Sequence, residues 1–207
     1  MITTIIGFNE ARLLPMCLGH LPKDSRVIYI DGAYAEYPHE VPWSTDGTLD
    51  IARRWGCEVV EVTKAWPDQM TKRTQALIPG EVIFNLDADE LLHTDLPELP
   101  DDADVGWVTI LSPIYDGPCL MPRVFRVQEG WHFAGRHHWI YDAEKRLVTS
   151  HTYAGKDYRH AILPVVIENA IHIREDARNA QKVQYLHAQR TSEGVYADEQ
   201  GVYQPTA

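Results

Sequence analysis

The element of this sequence best suited to chemistry is Asp87-Ala88-Asp89. It follows the apolar run Val82 to Leu86, which reads as a buried strand. A strand has a two-residue period, so Asp87 and Asp89 are expected to face the same way where the strand gives out. Two neighbouring carboxylates are hard oxygen ligands of the kind Mn2+ or Mg2+ takes while sharing its remaining positions with a diphosphate. Such a cation would neutralise charge on a leaving phosphate group, which is Lewis-acid catalysis. The competing reading is an acidic turn in which Glu90 opens a helix. Asp31 is a second acid at the end of an apolar run, Val27 to Ile30, and with Gly32 it is equally a turn. Lys72 and Arg73 are cations on an expected helix, where a solvated face is the plain alternative. Asn9, taken alone, is a helix cap.

The segments that must hold these residues alternate. Ile2 to Phe8 reads as a strand, Glu10 to Leu21 as a helix with Ala11, Leu14, Leu18 and Leu21 on one face, and Val27 to Ile30 as a strand. Ser44-Thr45-Asp46 supplies N-cap candidates for a helix carrying Leu49, Ala52 and Trp55 and stopped by Gly56. Glu58 to Val62 is a strand, Gln69 to Leu77 a helix closed by Pro79-Gly80, and Val82 to Leu86 a strand. Alternation of this kind predicts an α/β fold with a mostly parallel central sheet flanked by helices. In such sheets ligands bind beyond the carboxyl ends of the strands, where Asp31 and Asp87 both fall. After Pro100 the pattern becomes a mixed-strand half: Val105 to Ile114, Arg123 to Val127 and Val165 to Ile173 read as strands, with a final helix from Asp176 to Thr191. Ala33 to Trp43 is a long loop, a common place for function.

Composition narrows the function classes. The chain has 207 residues and a formal net charge of -11, from 30 acidic and 19 basic residues. An acidic chain repels phosphate backbones, so nucleic-acid binding is not expected. At 44% hydrophobic it can bury a sizeable core. The start MITTIIGFNEARLL lacks the plan of a signal peptide, and no apolar run reaches the length of a membrane span. Cys17, Cys57 and Cys119 are widely spaced and odd in number, as expected for reduced residues of a cytoplasmic protein. The expected division is a single domain over 1–192, with a donor half at 1–92 and an acceptor half at 103–192, and a flexible tail at 193–207.

The order of short motifs resembles the glycosyltransferases with a GT-A (Rossmann-like) fold, especially the large family-2 group. The matching pieces are Thr4-Ile5-Ile6-Gly7-Phe8-Asn9-Glu10, Ile28-Tyr29-Ile30-Asp31-Gly32, Ser44-Thr45-Asp46-Gly47-Thr48, Lys72-Arg73-Thr74-Gln75-Ala76-Leu77 and Phe84-Asn85-Leu86-Asp87-Ala88-Asp89-Glu90. Pro122-Arg123-Val124-Phe125-Arg126 and Phe133-Ala134-Gly135-Arg136-His137-His138 are similar to the acceptor-side segment of a bacterial subgroup. The resemblance implies a nucleoside-diphosphate-sugar donor, with UDP as its nucleotide, and an acceptor hydroxyl on a glycan, a lipid-linked compound or a small molecule. It implies that Asp31 recognises the base or ribose, that Asp87 faces ribose and metal, and that Asp89 ligates Mn2+ or Mg2+ directly. Lys72 and Arg73 would lie near the nucleotide, Asn9 and Glu10 would line the donor pocket, and His172 would be a third metal ligand.

Two departures stand out. The family joins Asp31 almost directly to the Ser-Thr-Asp-Gly-Thr element, whereas here Ala33 to Trp43 intervenes. The subgroup often carries His-Glu where this chain has His138-Trp139, so the acceptor-activating base must be another group. His138, Asp116 and Asp142 are the candidates, since acceptor activation is expected from the second half of the chain. Trp107, Trp131, Trp139, Tyr115 and Tyr141 would make either a sugar platform or core. The expected activity is metal-dependent, inverting sugar transfer. The alternatives are a non-catalytic, sugar-binding or structural descendant, and a nucleotidyltransferase. The last needs a glycine-rich basic phosphate loop, which Gly7-Phe8-Asn9-Glu10 is not.

Overall fold

The computed structural model describes residues 1–35, 37, 39–113, 117–135, 139–150, 152–170, 195–197 and 203–205. Over these the chain is α/β, with one mixed eight-stranded sheet and few helices. The first half gives β1 (Ile2–Ile6), α1 (Leu14–Gly19), β2 (Val27–Ile30), α2 (Thr48–Trp55), β3 (Glu58–Val60), α3 (Gln69–Thr74) and β4 (Val82–Asp87). The second half gives β5 (Glu90–Leu92), β6 (Val105–Leu111), β7 (Cys119–Arg126), β8 (His132–Phe133), β9 (Ile140–Tyr141), β10 (Leu147–Thr149) and β11 (His160–Asn169). Two further strands, β12 (Val195–Ala197) and β13 (Tyr203–Pro205), pair antiparallel inside the stretch read as a tail.

The large sheet has the order β3-β2-β1-β4-β7-β6-β11-β5. β1, β2, β3 and β4 are mutually parallel. Beyond β4 the sheet is mixed: β7 runs antiparallel to both β4 and β6, β11 is parallel to β6, and β5 is antiparallel to β11. The expectation of a mostly parallel sheet therefore describes β1 to β4 and gives way to a mixed sheet overall.

Sequence alternation explains the two cores. β1 is buried along its whole length, as a strand covered on both faces must be. Ile5 joins one apolar cluster with Leu14, Leu18, Tyr29 and Phe84, while Ile2 and Ile6 join another with Ile30, Ile83, Phe125 and Trp131. The helices are shorter than their apolar periodicity suggests. The Leu14 amide closes a turn on the Glu10 carbonyl, but Pro15 has no N–H to continue the ladder, so that turn does not run into α1 as one regular helix. α3 ends at Thr74 because the amides of Ala76 and Leu77 bond three residues back rather than four.

Glu90 does not open a helix; it begins β5, paired with the end of β11. Consequently Asp87 and Asp89 do not share one strand. β4 stops at Asp87, and Ala88-Asp89 make the turn into β5. The expected final helix, Asp176 to Thr191, lies outside the described residues.

Candidate functional site

Three parallel strands bring their carboxyl ends together. Ile6, the last residue of β1, stands beside Ile30 of β2 and Asp87 of β4. The segments that follow, Gly7 to Glu10, Asp31-Gly32 and Asp87 to Glu90, therefore meet at one edge of the sheet, where an α/β fold binds ligands.

Asp31 is fully buried, at 0% exposure, and both its oxygens are engaged. Ser44 donates its amide to Oδ2 at 2.9 Å and its hydroxyl to Oδ1 at 2.6 Å. The Ser44 hydroxyl also accepts from the amide of Asn9 at 2.7 Å, and Asn9 Oδ1 accepts from the amide of Thr45 at 2.8 Å. The Thr48 hydroxyl accepts from the amide of Glu10 at 2.7 Å, and Asp46 accepts from the amide of Ala11 at 3.0 Å. The Ser-Thr-Asp-Gly-Thr element read as a helix cap is thus a side-chain bridge between the ends of β1 and β2. Asp46 also accepts from the Thr48 amide at 3.1 Å, within the same turn. The loop 33–43 closes at its base through the amide of Ala33 and the carbonyl of Pro42. Trp66 holds its near end, its indole donating to the Asp31 carbonyl at 2.7 Å.

Lys72 and Arg73 are buried, so the solvated helix face does not apply to either. Lys72 Nζ donates to the carbonyls of Gly7 and Gly32, each at 2.6 Å. Burial holds its amine down at about 7, against the pull of Asp31. Arg73 Nη2 donates to both oxygens of Asp87, at 2.9 and 3.1 Å.

The acid turn is braced from the other half of the chain. Glu90 Oε2 accepts from the amide of Asp87 at 2.9 Å, and Glu90 Oε1 accepts from Arg123 of β7 at 2.5 Å. Burial pushes the Glu90 carboxyl up, with Arg123 pulling it back. Asp89 is buried, and its carbonyl accepts from the amide of Ala170, just past β11.

The carboxylates fit a hard divalent cation in kind. Asp87 keeps 21% of its side chain exposed, so water or a cation can reach it. Among the described residues no three histidine, cysteine, aspartate or glutamate groups are assembled as a metal set. Phosphate oxygens and water would therefore have to complete the coordination, the usual manner of Mg2+.

The remaining residues divide. His172, His138, Asp116 and Tyr115 lie outside the described residues. Asp142 is held in a turn: its Oδ1 accepts from the amides of Glu144 and Arg146, and its Oδ2 from the Arg146 guanidinium at 2.7 Å and the Tyr158 hydroxyl at 2.6 Å. Burial alone would raise the Asp142 carboxyl, but these hydrogen bonds override it and hold the group down at about 2. Of the aromatics, Trp107 and Trp131 are core, while Trp139 and Tyr141 are half-buried neighbours with ring centroids 6.4 Å apart. Glu90 and Arg123 were not singled out as site residues, and nothing local in the sequence marks them as a pair.

No protein-family model matches the chain. No curated protein matches it either. Two crystal structures of S. aureus TarS are similar in part. The structure of residues 1–349 aligns at 17% identity and a TM-score of 0.40, over 56% of this chain and 38% of that one. The second TarS structure aligns at 18% identity and a TM-score of 0.40, over 56% of this chain and 23% of its own. The chain thus spans well under half the length of either. No helix among the described residues is long and apolar enough to cross a membrane.

Proposed function

We propose that the chain is a glycosyltransferase of the GT-A type, moving a sugar from a nucleoside-diphosphate donor, UDP in the first instance, to an acceptor hydroxyl. The reading is supported by the ordered motifs of the sequence and carried by one observation. The register puts Ile30 and Asp87 on either side of Ile6, so the motif residues that follow all three strands converge at a single sheet edge.

In this reading the donor lies across the ends of β1, β2 and β4. Asp31 acts through Ser44, fixing the bridge that shapes the pocket. Asn9 and Glu10 form the floor through their amides. Arg73 orients the Asp87 carboxylate, and Arg123 with Glu90 holds the turn that carries Asp89. Asp87 and Asp89 would hold Mn2+ or Mg2+, with His172 as a further ligand, and a cation there supplies charge neutralisation for the departing diphosphate. His138 or Asp116 would accept the proton of the acceptor hydroxyl as its oxygen bonds to the anomeric carbon. The bond from that carbon to the diphosphate breaks, and its electron pair leaves with the diphosphate. Asp142, already accepting from four donors, is the poorest base of the three.

The test is a calorimetric screen of UDP-, GDP- and dTDP-sugars with Mn2+, followed by an assay for nucleoside diphosphate release. The proposal expects one nucleotide class to bind and to be slowly hydrolysed. No binding by any class would sink it. A second reading, a non-catalytic descendant, is favoured by the internal satisfaction of Asp31 and by Trp139 in the place of the family acid. Binding without any hydrolysis or transfer would select it.

A further inference from the structure

We propose that Lys72 is a positioning residue of the donor site: its amine ties the ends of β1 and β2 together, and it takes up a proton when an anionic nucleoside diphosphate binds beyond them. The inference rests on the glycosyltransferase reading above.

The cradle is built from backbone. Lys72 is 1% exposed, and its Nζ sits 2.6 Å from the Gly7 carbonyl and 2.6 Å from the Gly32 carbonyl. Neither glycine has room for a side chain. A Cβ on Gly7 would stand 2.5 Å from the Tyr29 hydroxyl, and one on Gly32 would stand 2.5 Å from Val62 and 2.9 Å from the Trp66 indole nitrogen. Gly32 also has φ +109, which a side chain disfavours. The close packing that aims both carbonyls at one nitrogen therefore depends on glycine at both strand ends. The Tyr34 ring of the loop 33–43 lies 5.6 Å from the same nitrogen, so Lys72 joins that loop to the strands as well.

A neutral amine has two N–H groups and an ammonium three. Two donors suffice for two carbonyls, so the cradle accepts either charge state without leaving a carbonyl unpaired. The groups facing the amine are Asp31 after β2, Glu10 after β1 and Asp87 on β4, which favour the ammonium, and Arg73 on α3, which opposes it. Burial is the largest influence and holds the amine near neutrality. A nucleoside diphosphate laid across the same strand ends adds more negative charge there than one divalent cation removes, and tips the balance toward the ammonium. Lys72 then contributes more of its charge when the donor is present, and does so without touching it.

The experiment is isothermal titration of UDP into the whole chain at pH 7.5, in two buffers of different ionisation enthalpy. Wild type is expected to take up about half a proton per UDP bound. Lys72→Arg, which is always charged, is expected to bind UDP with the proton uptake gone, whatever its affinity. Equal uptake in both proteins overturns the proposal. Should the arginine fail to fit, 13Cε NMR of lysine-labelled wild type reads the same event. The Lys72 signal must titrate well below the ordinary lysine range and move upward with UDP, and an unmoved titration overturns the uptake. If wild type binds none of UDP, GDP and dTDP, with Mn2+ present as well as without it, the glycosyltransferase reading falls and the proton uptake with it. The cradle is then judged separately by the free-protein titration, which an ordinary lysine value would overturn.

Discussion

Ser44 gives both of its donors to one carboxylate: its amide and its hydroxyl meet the two oxygens of Asp31 at 2.9 and 2.6 Å. Asp31 has no exposed surface. Its charge is spent inside the protein, where it fixes the point at which the loop 33–43 returns to the sheet. In the reading proposed above, a base or ribose at this strand end would meet what Asp31 organises.

Ser44→Ala should therefore behave like a weaker copy of Asp31→Asn. Leaving a buried carboxylate short of one donor should cost about 1–3 kcal/mol, read by urea denaturation. Donor affinity should fall in both variants, and the double variant should lose much less than the sum of the two. Additive effects, or normal donor affinity in Ser44→Ala with a large loss in Asp31→Asn, would mean that Asp31 contacts the donor directly.

The pair Arg73–Asp87 should respond unequally to the loss of either partner. Arg73 keeps 3% of its side chain exposed and Asp87 21%. Asp87→Ala removes the carboxylate whose two oxygens meet the buried Arg73 guanidinium, expected to cost about 3–5 kcal/mol. Arg73→Met leaves a carboxylate that water can reach and fills the space with an apolar chain, so its cost should be smaller. Denaturation of the two variants side by side gives the ranking, and a reversed order would contradict this account of the pair.

Local signals were legible in the sequence and long-range pairings were not. Val27 to Ile30, a short apolar run closed by Asp31-Gly32, is the strand β2 with the expected bounds. The meeting of Asp31 and Asp87 at one sheet edge follows from parallel alternation, and the register carries it out. The back half escaped that logic because β7 inserts antiparallel between β4 and β6, a choice made by tertiary pairing rather than by local pattern. The brace of Arg123 on Glu90 depends on that pairing, so no spacing in the sequence announces it. Ser44 looks like a helix cap because its type favours caps, but its hydroxyl instead serves Asp31. The resemblance sets Lys72 near the nucleotide, but nothing local announces its burial: a lysine on a short helix is ordinarily solvated, and only the two glycine carbonyls make it otherwise.

Asp142 should govern acid stability. Its carboxyl is held at about 2, below the ordinary aspartate value, by Tyr158 and Arg146 against the effect of burial. The unfolded chain then binds the proton more readily than the folded one. The stabilisation is complete above the unfolded value near 3.9 and is lost as pH falls from there to about 2. Asp142→Asn should lower the Tm at pH 7 and flatten its decline between pH 4 and pH 2. An unchanged acid limb in the variant would show that other carboxylates set it.

If Asp87 at the end of β4 and Asp89 in the turn after it serve sugar transfer from a nucleotide donor, nucleotide release must depend on them and on a cation. The most direct measurement is release of UDP from UDP-sugars by the purified chain, with Mn2+ and with chelator, in wild type and in Asp89→Asn. The expected result is slow release that requires the cation and is lost in Asp89→Asn while its circular dichroism stays close to wild type. Release that persists in chelator, or that Asp89→Asn leaves intact, would contradict it.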